Sequence, residues 1–531
     1  MIPHPKTIIR ITILATAALL VILNLNNCSS NQKEQIVKSR PNVLFIAIDD
    51  LRPELGVYGN KIIKTPNIDA LGMEGVVFER TFVQQAVCNP SRASIMTGLR
   101  PDATKIWDLW SDFRDSIPDV ITLPQYFKNK GYHSAGIGKI YHNIFPDTLS
   151  WSEPKLYLKQ FPFDPDAYYV EPENIRIQNE KIQQFIDDGD GKKRKDPFGH
   201  YYVKANATEI TDLPDDAYYD GAQTTVALSK IEELTKSDKP FFFGLGYYRP
   251  HLPFNAPRKY WDLYDPSEIN LAENNFLPEN APFFSVNNLV ELKGYTDFKN
   301  SPTPLEGSLS KKEARKLKHG YYASVSYVDA LIGKVVAKLK QLDIYDNTII
   351  VLWGDHGYKL GEHNSWTKFT NYKIDNHAPL IIKSHIKAHN QKRINHLTEF
   401  VDIYPTLCEL AGLETGTHLE GLSLVPLMSG STDLGKEAVF FQFLKESRWA
   451  IPEGNEQMGY SILTDEFHYI SWIDWKTKAF TAHELYNLKN DPLENRNISG
   501  DPESAAIVKV LEQQLKDGWV KEKERIVGLK K

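Results

Sequence analysis

Val43 to Ile48 is an unbroken apolar run that ends in the acidic pair Asp49-Asp50. A strand with one wet face alternates apolar and polar residues, so a continuous apolar run predicts a strand buried on both faces, as in the middle of a parallel sheet. Three other segments repeat the design. Tyr132 to Ile137 leads to Gly138-Lys139, Pro240 to Gly246 leads to Arg249-Pro250-His251, and Thr348 to Trp353 leads to Gly354-Asp355-His356-Gly357. Ligands of open α/β sheets lie outside the carboxyl ends of the strands, so four polar clusters at four strand ends predict one shared site. Helical patterns fall between these strands, at Leu123 to Lys130 with Thr122 as N-cap and Gly131 as stop, and at His319 to Leu342. The fold class expected is α/β, a large mixed, mostly parallel sheet sandwiched by helices.

A chain of 531 residues exceeds what one hydrophobic core usually fills. Residues 40–425 are expected to form the catalytic domain, and residues 426–531 a smaller C-terminal α+β subdomain. That subdomain is read from short alternating segments such as Tyr460 to Thr464 and Tyr469 to Trp475, followed by an amphipathic helix from Glu503 to Lys521. Two long stretches, roughly 146–214 and 253–312, break the strand and helix pattern and are rich in Pro, Asp, Asn, Lys and aromatics. They are read as ordered insertions that wall a pocket. The charge run from Asp187 to Lys195 reads as a solvated loop tip.

Lys6 and Arg10 precede an apolar run from Ile11 to Leu23, the length of a signal h-region and short for a membrane span. Residues 1–27 are therefore expected to be a signal peptide, and the protein to be exported. Leu25-Asn26-Asn27-Cys28-Ser29-Ser30 resembles a lipobox, with Asn27 in place of the usual small residue, so that Cys28 would carry a lipid and place the protein in the periplasm or on the cell surface. A plain signal peptide with an incidental cysteine is the alternative. Membrane contact is expected only through such an anchor. Net charge is −6, and −8 once the two positive charges of residues 1–27 are set aside, which gives no global attraction to nucleic acid or to an anionic polymer. With Cys28 assigned to lipid and Cys408 to the apolar face of the helical stretch Phe400 to Leu413, no disulfide framework is expected.

Asp49, Asp50, Asp355 and His356 offer three carboxylates and an imidazole to a cation. So many carboxylate oxygens suit a hard divalent ion, calcium first and magnesium second, whereas zinc favours more nitrogen or sulfur. An acidic pair at one strand end is equally well a helix cap, and gains weight only beside Gly354-Asp355-His356-Gly357. Cys88-Asn89-Pro90-Ser91-Arg92 is followed by Ala93-Ser94-Ile95-Met96-Thr97-Gly98. Pro90 suits the first turn of a short helix from Ser91 to Thr97, which would set Cys88 in the positive field of its N-terminus.

Cys88-x-Pro90-Ser91-Arg92 is similar to the signature of the type I sulfatases, whose cysteine is oxidised after translation to Cα-formylglycine. With Gly138-Lys139-Ile140-Tyr141-His142, Arg249-Pro250-His251-Leu252-Pro253-Phe254, Gly354 to His363, Trp366-Thr367-Lys368-Phe369, Met458 to Ser461 and Glu484 to Leu488, the chain resembles the iduronate-2-sulfatase branch of that family, within the alkaline phosphatase superfamily. The resemblance covers roughly residues 40–500. It implies a sulfuric ester hydrolase acting on a sulfated oligosaccharide, and a maturation enzyme, formylglycine-generating or sulfatase-maturating, that modifies Cys88. An aldehyde hydrate has an advantage over serine, because its second hydroxyl can expel sulfate by elimination and no water need attack sulfur.

The same resemblance implies that Asp49, Asp50, Asp355 and His356 bind calcium with an oxygen of residue 88, and that Arg92 steadies residue 88. Lys139 and His142 would contact the hydrate, with His142 as the base. His251 and Lys368 would hold sulfate and protonate the departing sugar oxygen, while Asp355 would accept a proton from the attacking hydroxyl. Taken singly, Lys139 could cap a strand end, His142 could be a satisfied loop histidine and His251 could belong to a rigid turn between prolines. Trp107, Asp108 and His363 are expected to border the substrate. The implied substrate is a 2-O-sulfated uronate or similar unit, at the end of an oligosaccharide from a glycosaminoglycan or an algal polymer such as ulvan. A phosphonate or phosphate ester hydrolase of the same superfamily, and a non-catalytic glycan-binding lipoprotein, are the alternatives.

Overall fold

The computed structural model describes residues 40–143, 145–431, 435–446 and 456–529. The leader and Cys28 lie outside the described residues. The first apolar run forms β1 (Asn42–Ile48), followed in the large sheet by β2 (Val76–Phe82), β3 (His133–Gly138), β4 (Phe241–Tyr247), β5 (Thr348–Gly354), β6 (Leu380–Lys383) and β7 (Lys392–Glu399). Their order across the sheet is β7-β2-β6-β5-β1-β4-β3. β1 pairs in parallel with β4 and β5, β3 pairs in parallel with β4, and only β6 runs antiparallel to its neighbours β2 and β5.

Continuous apolar sequence is explained by the two layers that cover the sheet. Leu44, Ile46 and Ile48 point into one core with the long helix α1 (Lys311–Gln341), whereas Val43, Phe45 and Ala47 point into the other. Each of these side chains other than Ala47, wholly removed from water, contributes ~2 kcal/mol of transfer free energy. Helix α1 begins eight residues before the expected start at His319, because Ser310 and Glu313 form a reciprocal capping box, with Ser310 Oγ accepting the Glu313 N–H at 3.3 Å and the Glu313 carboxylate accepting the Ser310 N–H at 3.0 Å. Cys408 is fully buried in the second layer, as a small apolar group.

The two insertions are ordered and joined to each other: Thr208–Thr211 from the first pairs in parallel with Phe254–Pro257 at the start of the second. The first also holds a helix, Pro172–Asp187, followed by the turn Gly191–Arg194, whose Lys192, Lys193 and Arg194 are exposed. The C-terminal alternating segments are longer than their sequence pattern shows. They form an antiparallel sheet of β8 (Ala438–Lys445), β9 (Gln457–Thr464), β10 (Phe467–Asp474) and β11 (Phe480–Asn487), in that order. A terminal helix, α2 (Ala505–Leu529), covers it and is interrupted at Gly518, whose φ is 69°. This sheet is locked to the large one by Arg100, which grips Glu399 with two N–H groups at 2.8 Å each and donates to the Phe440 carbonyl at 2.9 Å. Among the described residues, no helix is long and apolar enough to cross a membrane.

Candidate active site

Strands β5, β1, β4 and β3 are consecutive neighbours, so their carboxyl ends emerge side by side, about 5 Å apart. Asp49 and Asp50 follow β1, Asp355 and His356 follow β5, Lys139 follows β3 and His251 follows the turn after β4. The Asp355 N–H still bonds to Ile48 O at 3.2 Å and the Asp50 N–H donates to Asp355 Oδ1 at 3.0 Å, which knits the two acidic ends together. Glycine is required where Lys139 crosses β4. A Cβ on Gly246 would lie 2.2 Å from the Lys139 carbonyl carbon, and a Cβ on Gly138, whose φ is +74°, would lie 2.0 Å from Gly246 O.

Cys88 opens the helix Cys88–Thr97, three residues earlier than the sequence suggests. Val87 is the extended N-cap and its carbonyl accepts the Ser91 N–H at 3.0 Å, so Pro90 falls in the first turn, where its missing N–H costs no intrahelical bond. The thiol is therefore at the positive end of the helix, buried, with Sγ 3.3 Å from His356 Nε2. Burial, with Asp49 and Asp355 nearby, pushes the Cys88 thiol well above its usual range despite Lys368 and Lys139, so the unconverted side chain is a neutral and poor nucleophile.

Arg92 is fully buried one turn along. Its Nε donates to Asp355 Oδ2 at 2.9 Å, its Nη2 to Asp49 Oδ1 at 3.1 Å, and its Nη1 to the carbonyls of Lys139 and Ile140. It steadies the carboxylates and the β3 end rather than the Cys88 side chain itself. Lys139 Nζ donates to Asp49 Oδ2. Burial disfavours the Asp49 charge, but Lys139, His251 and Arg92 outweigh it and hold the carboxyl well below the usual range.

Asp49, Cys88, Asp355 and His356 offer ligand atoms within 4.8 Å of one another, and Asp49, Asp50 and His251 form an overlapping group. His356 Nδ1 lies 2.9 Å from Gly357 O, which turns Nε2 toward the acidic strand ends. His356 Nε2 faces Asp50 Oδ1 at 3.4 Å and Asp355 Oδ1 at 3.6 Å. Electron-rich atoms facing one another in a buried pocket fit a cation, and an oxygen-dominated set fits calcium or magnesium better than zinc.

Lys368 reaches the same place from a strained hairpin, between Thr367 at φ 70° and Phe369 at φ 82°. Its Nζ is 2.8 Å and 3.0 Å from the two oxygens of Asp50. His251 is positioned by Asp220, whose carboxylate accepts the backbone N–H groups of Tyr248 and Arg249 at 3.0 and 2.8 Å. Its Nδ1 lies 3.2 Å from Asp166 Oδ1 and its Nε2 lies 2.8 Å from Glu291 Oε1. Burial and Lys368 work against its charge, yet Asp166, Asp50 and Glu291 raise its pKa well above the usual value, so it is an imidazolium able to donate. His142 is the opposite case: burial and Lys139 keep it well below the usual value, as a neutral base whose Nδ1 has no hydrogen-bond partner among the described residues.

Cys88, Lys139, His142, His251 and Lys368 line one cavity of about 510 Å³, together with Leu109, Trp110, Asp164, Asp166, Tyr202, Lys204, Glu291 and Phe369. Sequence reasoning missed Asp166 and Glu291, which sit in the insertions, away from strand ends and without periodicity to mark them. The expected border residues Trp107, Asp108 and His363 are not among those lining this cavity. Trp107 stacks edge-on against Trp475, Asp108 folds back onto the N–H groups of Trp110 and Ser111, and His363 is buried against Tyr372 and Leu493 O; their neighbours Leu109 and Trp110 line the cavity instead.

Residues 41–413 match the sulfatase family, and residues 361–521 match the family described as N-sulphoglucosamine sulphohydrolase, C-terminal. The chain belongs to the sulfatase family. It is 31% identical over 530 residues to the iduronate 2-sulfatase of Mus musculus, covering 88% of this chain and 92% of the relative. A sulfatase of Formosa agariphila is 34% identical over 459 residues, covering 83% of each. Among solved structures, a phosphonate monoester hydrolase of Agrobacterium radiobacter superposes with a TM-score of 0.67 at 22% identity, over 91% of this chain and 96% of that one, and shares the fold. This sulfatase is thus a sulfuric ester hydrolase, and the family implies a formylglycine and a divalent metal at the site built above.

Proposed function

We propose that this sulfatase removes an O-sulfate from a sugar at the end of an oligosaccharide, with residue 88 as formylglycine and calcium held by Asp49, Asp50, Asp355 and His356. The observation that carries the proposal is the cavity in which Cys88, the buried carboxylates and the cations Lys139, His251 and Lys368 converge. When bound, the metal supplies positive charge to a sulfate oxygen and the hydrate supplies the nucleophilic oxygen at the position marked by Cys88 Sγ.

His251 and Lys368 hold the sulfate through N–H donors, and His251, as an imidazolium, passes its proton to the departing sugar oxygen. Asp355, fixed by Arg92 and by the Asp50 N–H, accepts the proton released at residue 88 on attack. His142, held neutral, removes the proton that lets sulfate leave. Lys139 fixes Asp49 and the β3 end beside residue 88. The likeness to iduronate 2-sulfatase supports a 2-O-sulfated uronate or similar unit, from a glycosaminoglycan or ulvan-like polymer. Export through residues 1–27, an anchor on Cys28 and a dedicated maturation enzyme belong to the same proposal.

The test is hydrolysis of matched sulfate and phosphate monoesters of one sugar by aldehyde-bearing enzyme, with both anions quantified. Sulfate release at least a hundredfold faster is expected. Preference for the phosphate ester would overturn the proposal.

A further inference from the structure

Glu291 enters the cavity from the second insertion, on the short helix Val290–Lys293 that follows Leu289 in a left-handed conformation, φ 56°. Its Oε1 lies 2.8 Å from His251 Nε2 and 2.9 Å from Lys368 Nζ. Its Oε2 is buried and has no hydrogen-bond partner among the described residues. A carboxylate and a sulfate ester present the same feature to a pair of N–H donors, an oxygen bearing negative charge at hydrogen-bond distance. One pair of donors cannot hold both oxygens in the same seat.

The contact is built in. Asn287 Nδ2 donates to the carbonyls of Trp366 and Lys368 at 2.8 Å each, which ties the segment carrying Glu291 to the hairpin carrying Lys368. Val290, next along, is 38% exposed, so the helix stands between cavity and solvent. His251 and Lys368 are each held by a further carboxylate, Asp166 and Asp50, whereas among the described residues Glu291 is held through one oxygen alone, which makes it the partner able to withdraw.

We infer that Glu291 is a specificity residue that occupies the sulfate seat of the free enzyme and is displaced by the sulfate group of the substrate. This rests on the assignment of His251 and Lys368 to sulfate made above. The exchange makes and breaks only hydrogen bonds. An ester that also binds through its sugar wins the seat, whereas free sulfate must displace Glu291 with no such help, so the product is expelled as Glu291 returns.

Calorimetric titration of inorganic sulfate into calcium-containing enzyme with Cys88 left as the thiol tests this without turnover. Glu291→Gln keeps shape and removes charge, and Glu291→Ala serves as a second variant. Asp164→Asn, another cavity carboxylate that touches neither His251 nor Lys368, controls for general electrostatics. Sulfate is expected to bind both Glu291 variants at least tenfold tighter than wild type, and the Asp164 variant less than threefold tighter. In converted enzyme, Glu291→Gln is expected to lower KM for a sulfated sugar with kcat within threefold.

Equal or weaker sulfate binding by both Glu291 variants overturns the inference, as does an equal gain in Asp164→Asn. A hundredfold fall in kcat at unchanged sulfate affinity also overturns it, by making Glu291 a proton carrier. Wild-type sulfate release, measured in parallel, separates the two readings. If it is absent, the proposed function fails, while the calorimetric comparison still decides whether Glu291 holds the seat.

Discussion

A Cβ at position 246 has nowhere to go, since the Lys139 backbone lies 2.2 to 2.5 Å away and is itself held by Arg92. Gly246→Ala is therefore expected to push the Lys139 segment off β4, with at least a tenfold loss of kcat/KM and a measurable fall in Tm. Residue 88 should behave differently, because its side chain is a reagent. Cys88→Ala and Cys88→Ser are expected to abolish turnover with Tm within about 2 °C of wild type, a shift worth under ~1 kcal/mol. Multiple turnover by Cys88→Ala would sink the mechanism. At this scale the sequence was legible where chemistry sits in short motifs, as at Cys88 to Arg92 and Asp355-His356. It was opaque at Asp166 and Glu291, whose partners Lys204, His251 and Lys368 are far away in the chain and meet them only through tertiary packing.

Among the elements, the buried strands were the most legible, because a strand covered on both faces has to be apolar throughout. The C-terminal strands were read only in fragments, since β10 and β11 mix polar and apolar residues and their ends are set by cross-strand pairing. That sheet also carries a buried titratable group. Glu484 accepts from Trp472 Nε1 at 2.6 Å and from the Tyr486 hydroxyl, and burial raises its pKa from 4.5 to about 7. The folded state thus holds a proton that the unfolded state has released, so stability present below pH 4.5 is lost as pH rises toward 7. Glu484→Gln removes this dependence. Its stability relative to wild type is expected to rise by about 2 kcal/mol between pH 5 and pH 8 in urea titrations. A pH-independent difference would show that Glu484 ionises normally.

For the whole molecule, the site exists only because the chain is folded. Asp49-Asp50 and Asp355-His356 are about 300 residues apart in sequence, as the 305-residue separation of the Asp50 to Asp355 hydrogen bond shows, and they converge through adjacent strands. Metal binding to such a site is linked to folding. Chelation is expected to abolish turnover and lower Tm by several degrees, with calcium restoring both; an unchanged Tm would argue that no ion is held there. The α/β class and the shared site at the strand ends were readable from periodicity. The depth and walls of the cavity were not, because they come from insertions whose contacts are irregular and long-range.

The central claim is that the reacting group is a modified Cys88 in a sulfatase site. The most direct measurement takes preparations that differ in the fraction of Cys88 converted to aldehyde, quantified by mass spectrometry of the Cys88 peptide, and records sulfate released from a sulfated oligosaccharide panel. The account predicts initial rates proportional to aldehyde content, passing through zero for the pure thiol. Sulfate release by the pure thiol at a rate like that of converted enzyme would contradict it.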